Sequence, residues 1–154
     1  MAMTEQIEAP CILLVEDDRM DVKIFERAAQ AVALQARIEV ASDGVEALSH
    51  LRALHRNQLE GPRPALIVLD LNMPNMTGFE FLETLRRDEG LRDHIVFVLT
   101  TSTAYADVQR AYALNVAGYL TKDSDFKDFQ GKLTLLKDYL KRVDLPDGCL
   151  PVRV

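Results

Sequence analysis

Leu66-Ile67-Val68-Leu69-Asp70-Leu71-Asn72-Met73-Pro74-Asn75-Met76-Thr77-Gly78 decides how this chain is read. Its first four residues form an unbroken apolar run. Pro74 keeps any regular element from continuing through the loop that follows. Asp70 therefore closes a buried strand, the place where open parallel sheets bind ligands. Working outward, Ile12-Leu13-Leu14-Val15 runs into Glu16-Asp17-Asp18. Val96-Phe97-Val98-Leu99 runs into Thr100-Thr101, and Tyr119-Leu120-Thr121 into Lys122. Each ending has an ordinary explanation when taken alone. Acids before a helix suit its dipole, paired threonines cap strand ends, a lone lysine is solvated, and Tyr119 is half-buried packing. Four complementary endings in one chain reverse that balance. They predict an acidic pocket for a divalent cation, with a hydroxyl and an ammonium set to hold a phosphoryl group.

The wider pattern alternates strand and helix five times. Short, β-branched apolar runs place strands at 12–16, 37–41, 66–70, 95–99 and 119–122, as expected for buried parallel strands. Helical spacing places Val22, Phe25, Ala29 and Val32 inward between Met20 and Ala33. A second helix follows Ser42-Asp43-Gly44, capped by Ser42 or Asp43, with Val45, Leu48, Leu51 and Leu54 inward. A third starts at Thr77 with Phe79, Leu82 and Leu85 inward. A fourth spans Ala104 to Asn115 with Val108, Ala111 and Leu114 inward. The last runs from Asp125 to Val143 with Phe126, Phe129, Leu133, Leu136 and Leu140 inward. Repeated strand–helix–strand units imply right-handed crossovers and an α/β, doubly wound parallel sheet covered on both faces.

A chain of 154 residues with 48% hydrophobic composition can build one full core. Its net charge of −6 argues against non-specific nucleic-acid binding. No apolar run approaches the roughly 20 residues a membrane helix needs, and Met1 to Pro10 lacks signal-peptide features. A cytoplasmic protein is expected. Cys11 and Cys149 have no zinc spacing, so Cys11 reads as a small buried residue and Cys149 as a tail thiol. His50, His55 and His94 fall in polar stretches and read as surface residues.

Mg²⁺ takes oxygen ligands, commonly one or two carboxylates plus waters and substrate phosphate. Asp17 and Asp70 can ligate it directly, Glu16 through a water, and the backbone carbonyl of Asn72 as a neutral ligand. Thr100 and Lys122 would then meet phosphoryl oxygens, and Asp70 would carry an acyl phosphate. Asn72 and Ser102, each two residues beyond a site residue, would flank the path of a water attacking that phosphate.

These pieces in this order resemble the receiver domain of two-component response regulators over roughly residues 11 to 143. The matching residues are Val15-Glu16-Asp17, Leu69-Asp70-Leu71-Asn72-Met73-Pro74 with Gly78, Thr100-Thr101, and Gly118-Tyr119-Leu120-Thr121-Lys122. The resemblance implies a flavodoxin-like five-stranded sheet of order 2-1-3-4-5. It implies phosphoryl transfer from a histidine kinase to Asp70, Mg²⁺ on Glu16 and Asp17, and joint movement of Thr100 and Tyr119. The family usually has proline after the lysine; here Asp123 follows Lys122, and a trans bond is expected there. That ending, the stretch 99–102, the loop 57–64 and the tail are similar to small single-domain regulators that partner phytochrome-type kinases.

Other readings fit less well. A haloacid-dehalogenase-type phosphatase needs a second Asp where Asn72 stands. A flavin module would place its phosphate where acids sit after Val15. A phosphate-independent interaction module would not need Glu16, Asp17, Asp70, Thr100 and Lys122 together. Finally, Leu135 and Tyr139 widen the apolar arc of the last helix, and Leu145, Leu150, Val152 and Val154 extend it. Residues 144–154 are therefore expected to fold back or fray, or to join the last helix as an arm of a symmetric homodimer, the reading favoured here.

Overall fold

The computed structural model describes residues 9–122 and 125–149. In chain order its elements are β1 (Cys11–Val15), α1 (Arg19–Ala31), β2 (Arg37–Ala41), α2 (Gly44–His55) and β3 (Leu66–Leu69). There follow α3 (Gly78–Arg87), β4 (Val96–Thr100), α4 (Tyr105–Ala113), β5 (Gly118–Thr121) and α5 (Phe126–Arg142). The strands pair in parallel in the order β2-β1-β3-β4-β5, as the sequence leads one to expect. β2 has the expected limits, and the other four strands differ by a residue at one end or both. In β1 and β3 the backbone leaves the sheet one residue early, and the freed residues are Glu16 and Asp70.

Period-two alternation divides the strands between two cores. Leu13, Val15, Ile67, Leu69, Val96 and Val98 face α2, α3 and α4, where Leu48, Leu51, Phe81, Leu82, Leu85 and Ala111 are buried. Ile12, Leu14, Leu66, Val68, Phe97 and Leu99 face α1 and α5, where Phe25, Phe129, Leu133 and Leu136 are buried. Phe25 meets Phe129 edge-on at 6.5 Å between ring centres, and Tyr139 meets Phe97 at 5.1 Å. Both faces of the central strands are thus dry, which is why their sequences are continuously apolar rather than alternating. Among the described residues no helix is long and apolar enough to cross a membrane.

Several side chains depart from expectation. Val45 is 55% exposed; one position beyond buried Gly44 turns a helix by about 100°, off the inward stripe. Phe126 is the first residue of α5 and remains 40% exposed, past the end of the packed stripe. Cys149, read as a tail thiol, is buried, because the tail folds back: Arg63 N donates to the Gly148 carbonyl at 2.8 Å and Cys149 lies against Pro64. Of the tail residues considered for an arm, Leu150, Val152 and Val154 lie outside the described residues, as does the Lys122–Asp123 bond.

His94 is also buried, at 4% exposure, so it is not a surface histidine. It sits between the end of α3 and β4, and Arg86 clamps its carbonyl at 2.8 Å. Burial pushes its pKa down to about 4, with the Arg63 guanidinium adding to the effect. A base whose folded pKa lies below its unfolded value stabilises the fold above the unfolded pKa, and that contribution is lost as pH falls. The window is pH 6.5 down to about 4. Urea unfolding at pH 7 and pH 4.5 should show a loss attributable to this group on the order of 2 kcal/mol. His94→Leu should show a correspondingly smaller acid loss, and equal losses in the two proteins would contradict the assignment.

Candidate functional site

Sheet register brings the strand endings together. Val15 stands opposite Leu69 in the β1–β3 pair, so Glu16 and Asp70 leave the sheet side by side. Their backbones stay tied to it, with Glu16 N donating to Ala41 O at 3.0 Å and Asp70 N to Val15 O at 3.1 Å. On the other flank Thr100 stands opposite Thr121, and Lys122 N donates to Thr100 O at 2.7 Å. Four consecutive parallel strands could not end otherwise: their carboxyl ends share one edge.

The loop after Asp70 is held by close backbone contact. A Cβ on Gly78 would lie 2.5 Å from the Asp70 carbonyl and 2.6 Å from Leu71 Cα, so only glycine fits. Its N–H donates to Leu71 O at 3.0 Å. Asn75 takes a left-handed φ of 68°, a conformation asparagine tolerates better than most residues. Thr77 then caps α3 through Glu80 N.

One carboxylate oxygen from each of Glu16, Asp17 and Asp70 lies within 4.8 Å of the others. Glu16 and Asp70 are buried, at 3% and 6% exposure, while Asp17 is exposed. This hard, all-oxygen donor set at a solvent edge fits a cation such as Mg²⁺ or Mn²⁺, which keeps several waters. Lys122 Nζ completes the pocket. It donates to Glu16 Oε2 at 2.6 Å, to Asp21 Oδ2 at 2.9 Å and to Asp70 Oδ2 at 3.3 Å. Burial pushes the Glu16 carboxyl up to about 7, aided by the Asp70 charge and opposed by Lys122. Burial of Lys122 works to lower its pKa, but the bonds to Glu16 and Asp21 and the Asp70 charge outweigh it and hold the ammonium above the ordinary lysine value.

Of the remaining expected residues, Asn72 and Thr100 adjoin Asp70, while Tyr119 and Ser102 pair with each other farther along. Asn72 N donates to Asp70 Oδ1 at 3.2 Å, and its side-chain amide stands 3.5 Å from Thr100 Oγ1. Thr100 is fully buried. Tyr119 is half-buried and bonds through its hydroxyl to the Ser102 carbonyl at 2.8 Å. Burial raises its phenol pKa. Ser102 Oγ is engaged by Asp107 at 2.5 Å, so it helps shape the start of α4.

Two acids differ from what the sequence conveyed. Asp18 is the cap of α1, accepting from Met20 N at 2.8 Å and Asp21 N at 3.3 Å. Asp21 was not singled out, because an acid in the first helical turn is favourable on dipole grounds alone. No local signal marks it as a partner of Lys122, which lies 101 residues away in the chain.

Comparison with known proteins agrees with this geometry. Residues 12–134 match the response regulator receiver domain. The chain is 40% identical over 130 residues to the probable methanogenesis regulatory protein FilR2 of Methanothrix harundinacea, across 83% of this chain and 81% of that protein. It is 33% identical over 146 residues to response regulator Rcp1 of Synechocystis sp., across 94% of this chain and 99% of that one. The solved structure of Mn²⁺-bound Rcp1 superposes with a TM-score of 0.77 at 34% identity, over 89% of this chain and 99% of Rcp1. The phosphorylated cyanobacterial phytochrome response regulator RcpA superposes with a TM-score of 0.78 at 30% identity, over 90% and 99%. Proteins of this kind bind a divalent metal and are in general phosphoacceptors rather than enzymes. With its receiver sheet, its acidic edge and relatives among the single-domain regulators of phytochrome signalling, the chain belongs to the response regulator receiver family, and a role in a phosphorelay fits it.

Proposed function

We propose that this protein accepts a phosphoryl group on Asp70 from a sensor histidine kinase of the phytochrome type, in the cytoplasm, with Mg²⁺ as the cation. The observation that carries this reading is the place of Asp70: its carboxylate lies between the Glu16–Asp17 oxygens and the Lys122 ammonium. In the proposed transfer an Asp70 oxygen attacks phosphorus, the phosphohistidine N–P bond breaks, and the leaving imidazole takes up a proton. When bound, Mg²⁺ supplies neutralisation of charge on the donor phosphoryl oxygens. Asp17 and Asp70 would hold it directly, Glu16 through a water and the Asn72 carbonyl as a neutral ligand. Lys122 and Thr100 meet the transferred oxygens, and Tyr119 follows Thr100 in passing the change to α4. The chain thereby assists both its own phosphorylation and its dephosphorylation, with Asn72 and Ser102 flanking the entry of water. An apolar groove between α1 and α5, lined by Ile24, Phe25, Phe126 and Phe129, opens beside Lys122 and offers the kinase a surface next to the acceptor. Output passes through protein contacts rather than DNA, in keeping with the net charge of −6.

The direct test is acid-labile phosphate incorporation from acetyl phosphate or a kinase. Asp70→Asn should abolish it, and full labelling of that variant would remove Asp70 from the role. If the wild-type protein with Mg²⁺ traps no beryllofluoride and takes up no phosphate, a phosphate-independent interaction module becomes the better reading.

Metal affinity carries a pH signature. A proton on Glu16 competes with a cation, and its pKa stands near 7. Mg²⁺ binding should therefore tighten as pH rises from 6 to 8 and level off above. Calorimetric titration of wild type and Glu16→Gln checks this; the variant should show a flat profile over the same range.

Residues 11–143 constitute the receiver unit in this proposal, and 144–154 an arm that joins α5 in a homodimer. Leu135 and Val143 on and after α5 are exposed and support the contact, while Gly148 and Cys149 are held against Arg63 and Pro64 of their own domain. Light scattering across micromolar concentrations should find a dimer that Leu135→Glu dissociates and that removal of residues 150–154 weakens. A wild-type monomer throughout refutes the dimer.

A further inference from the structure

We propose that Asp21 is a positioning residue for Lys122, tethering its ammonium from the α1 side so that it stands beside Asp70 without closing on it. This rests on the phosphoacceptor reading above and assigns a part of that site which the strand endings do not include.

Lys122 Nζ has three N–H donors and three carboxylate partners. Two of the partners, Glu16 and Asp70, belong to the three-carboxylate cluster fit for a cation. Asp21 does not. A cation drawing on the cluster takes electron density from the oxygens that Lys122 also uses, and the two positive charges repel. The Asp21 contact has no such competitor. It is the one bond to Lys122 that a filled cluster leaves intact.

The distances place Asp21 between the two cluster partners: Lys122 is nearest Glu16, at 2.6 Å, then Asp21, at 2.9 Å, and stands farthest from Asp70, at 3.3 Å. Without Asp21, the ammonium on its flexible four-carbon stem would have only Glu16 and Asp70 to pair with. It would neutralise the nucleophile and crowd the cation. With Asp21, part of its charge is held at the mouth, where an incoming phosphoryl oxygen can take it. The tether itself is well fixed. Asp21 lies in the first turn of α1, its own N–H bonded to the capping Asp18 carboxylate at 3.3 Å, and α1 is anchored beneath by fully buried Phe25. Lys122 is held at its backbone by Thr100 O. The pair is half-shielded, with side-chain exposures of 13% for Lys122 and 36% for Asp21. That is enough burial to order a lysine and too little to make its removal unfold the domain.

The test uses the full chain in two readouts. The first needs neither metal nor phosphoryl group: proton exchange of the Lys122 ammonium with water, by ¹⁵N NMR, with the signal assigned by its loss in Lys122→Ala. Asp21→Asn should speed this exchange by about tenfold and Asp21→Glu should restore much of the protection, as for a lysine that loses one of its ordered acceptors. Asp138→Asn, an equal change of charge at an exposed position of α5, should leave it unchanged. The second readout is the rate of phosphate uptake from acetyl phosphate at saturating Mg²⁺. Asp21→Asn should slow it by about fivefold, the effect of a partly exposed ion pair on a step it prepares, and Asp21→Glu should recover most of the rate. Unchanged exchange in Asp21→Asn overturns the tether. Changed exchange with an unchanged uptake rate overturns its part in the transfer. If wild type takes up no phosphate at all, the phosphoacceptor reading is what fails, and the exchange measurement still decides the tether.

Discussion

One ammonium holds the functional edge of this protein together. Lys122 reaches Glu16, Asp21 and Asp70 at once, and Glu16 and Asp70 are almost wholly removed from water. A buried carboxylate without a partner is costly, and two side by side are worse. The carboxyl edge of the sheet can therefore close only because the fifth strand delivers a lysine to it. The compensation is incomplete: Glu16, Asp17, Asp21 and Asp70 outnumber the single cation from Lys122. That residual negative charge is what makes the edge receptive to a divalent metal and, with it, to a phosphoryl group.

The rest of the fold serves to hold these groups at fixed separations. β1, β3, β4 and β5 are hydrogen-bonded neighbours in β1-β3-β4-β5 order, so an acid, an acid, a hydroxyl and an ammonium emerge within reach of one another. The loop after Asp70 is pinned by Gly78 against the Asp70 carbonyl, where even a methyl group would clash. The start of α1 divides its acids between tasks. Asp18 satisfies the free N–H groups of the helix and Asp21 reaches the lysine. A helix cap thus also aims a side chain into the site.

Away from this edge the molecule spends its polar groups on closure. Arg86 bonds to the carbonyls of Arg92, His94, Leu114 and Asn115, joining the segments that lead into and away from β4 and α4. Arg63 pairs with Asp93 through both terminal nitrogens, and its backbone N–H receives the returning tail. At the end opposite the acidic pocket, arginines and a folded-back C-terminal segment therefore tie the loops together around a cavity lined by His55, Arg63, His94 and Gly148.

The amino-acid sequence alone determined the sheet, its order by way of family resemblance, and the strand-end groups, because continuous apolar runs and the polar residues that stop them are local signals. Asp70 after Leu66–Leu69 and Lys122 after Tyr119–Thr121 could be read without a structure. The long-range pairing of Asp21 with Lys122 could not, since 101 residues separate them and each has an ordinary local explanation. The same holds for His94, whose polar neighbours hide a burial imposed by Arg86 and β4, and for Cys149, buried only because Gly148 bonds back to Arg63. Phe126 followed the helical period but lay beyond the packed stripe, because periodicity gives a direction and not the extent of the surface opposite. Tertiary structure decided these points because burial and charge pairing depend on which distant segments meet, and no local pattern encodes that.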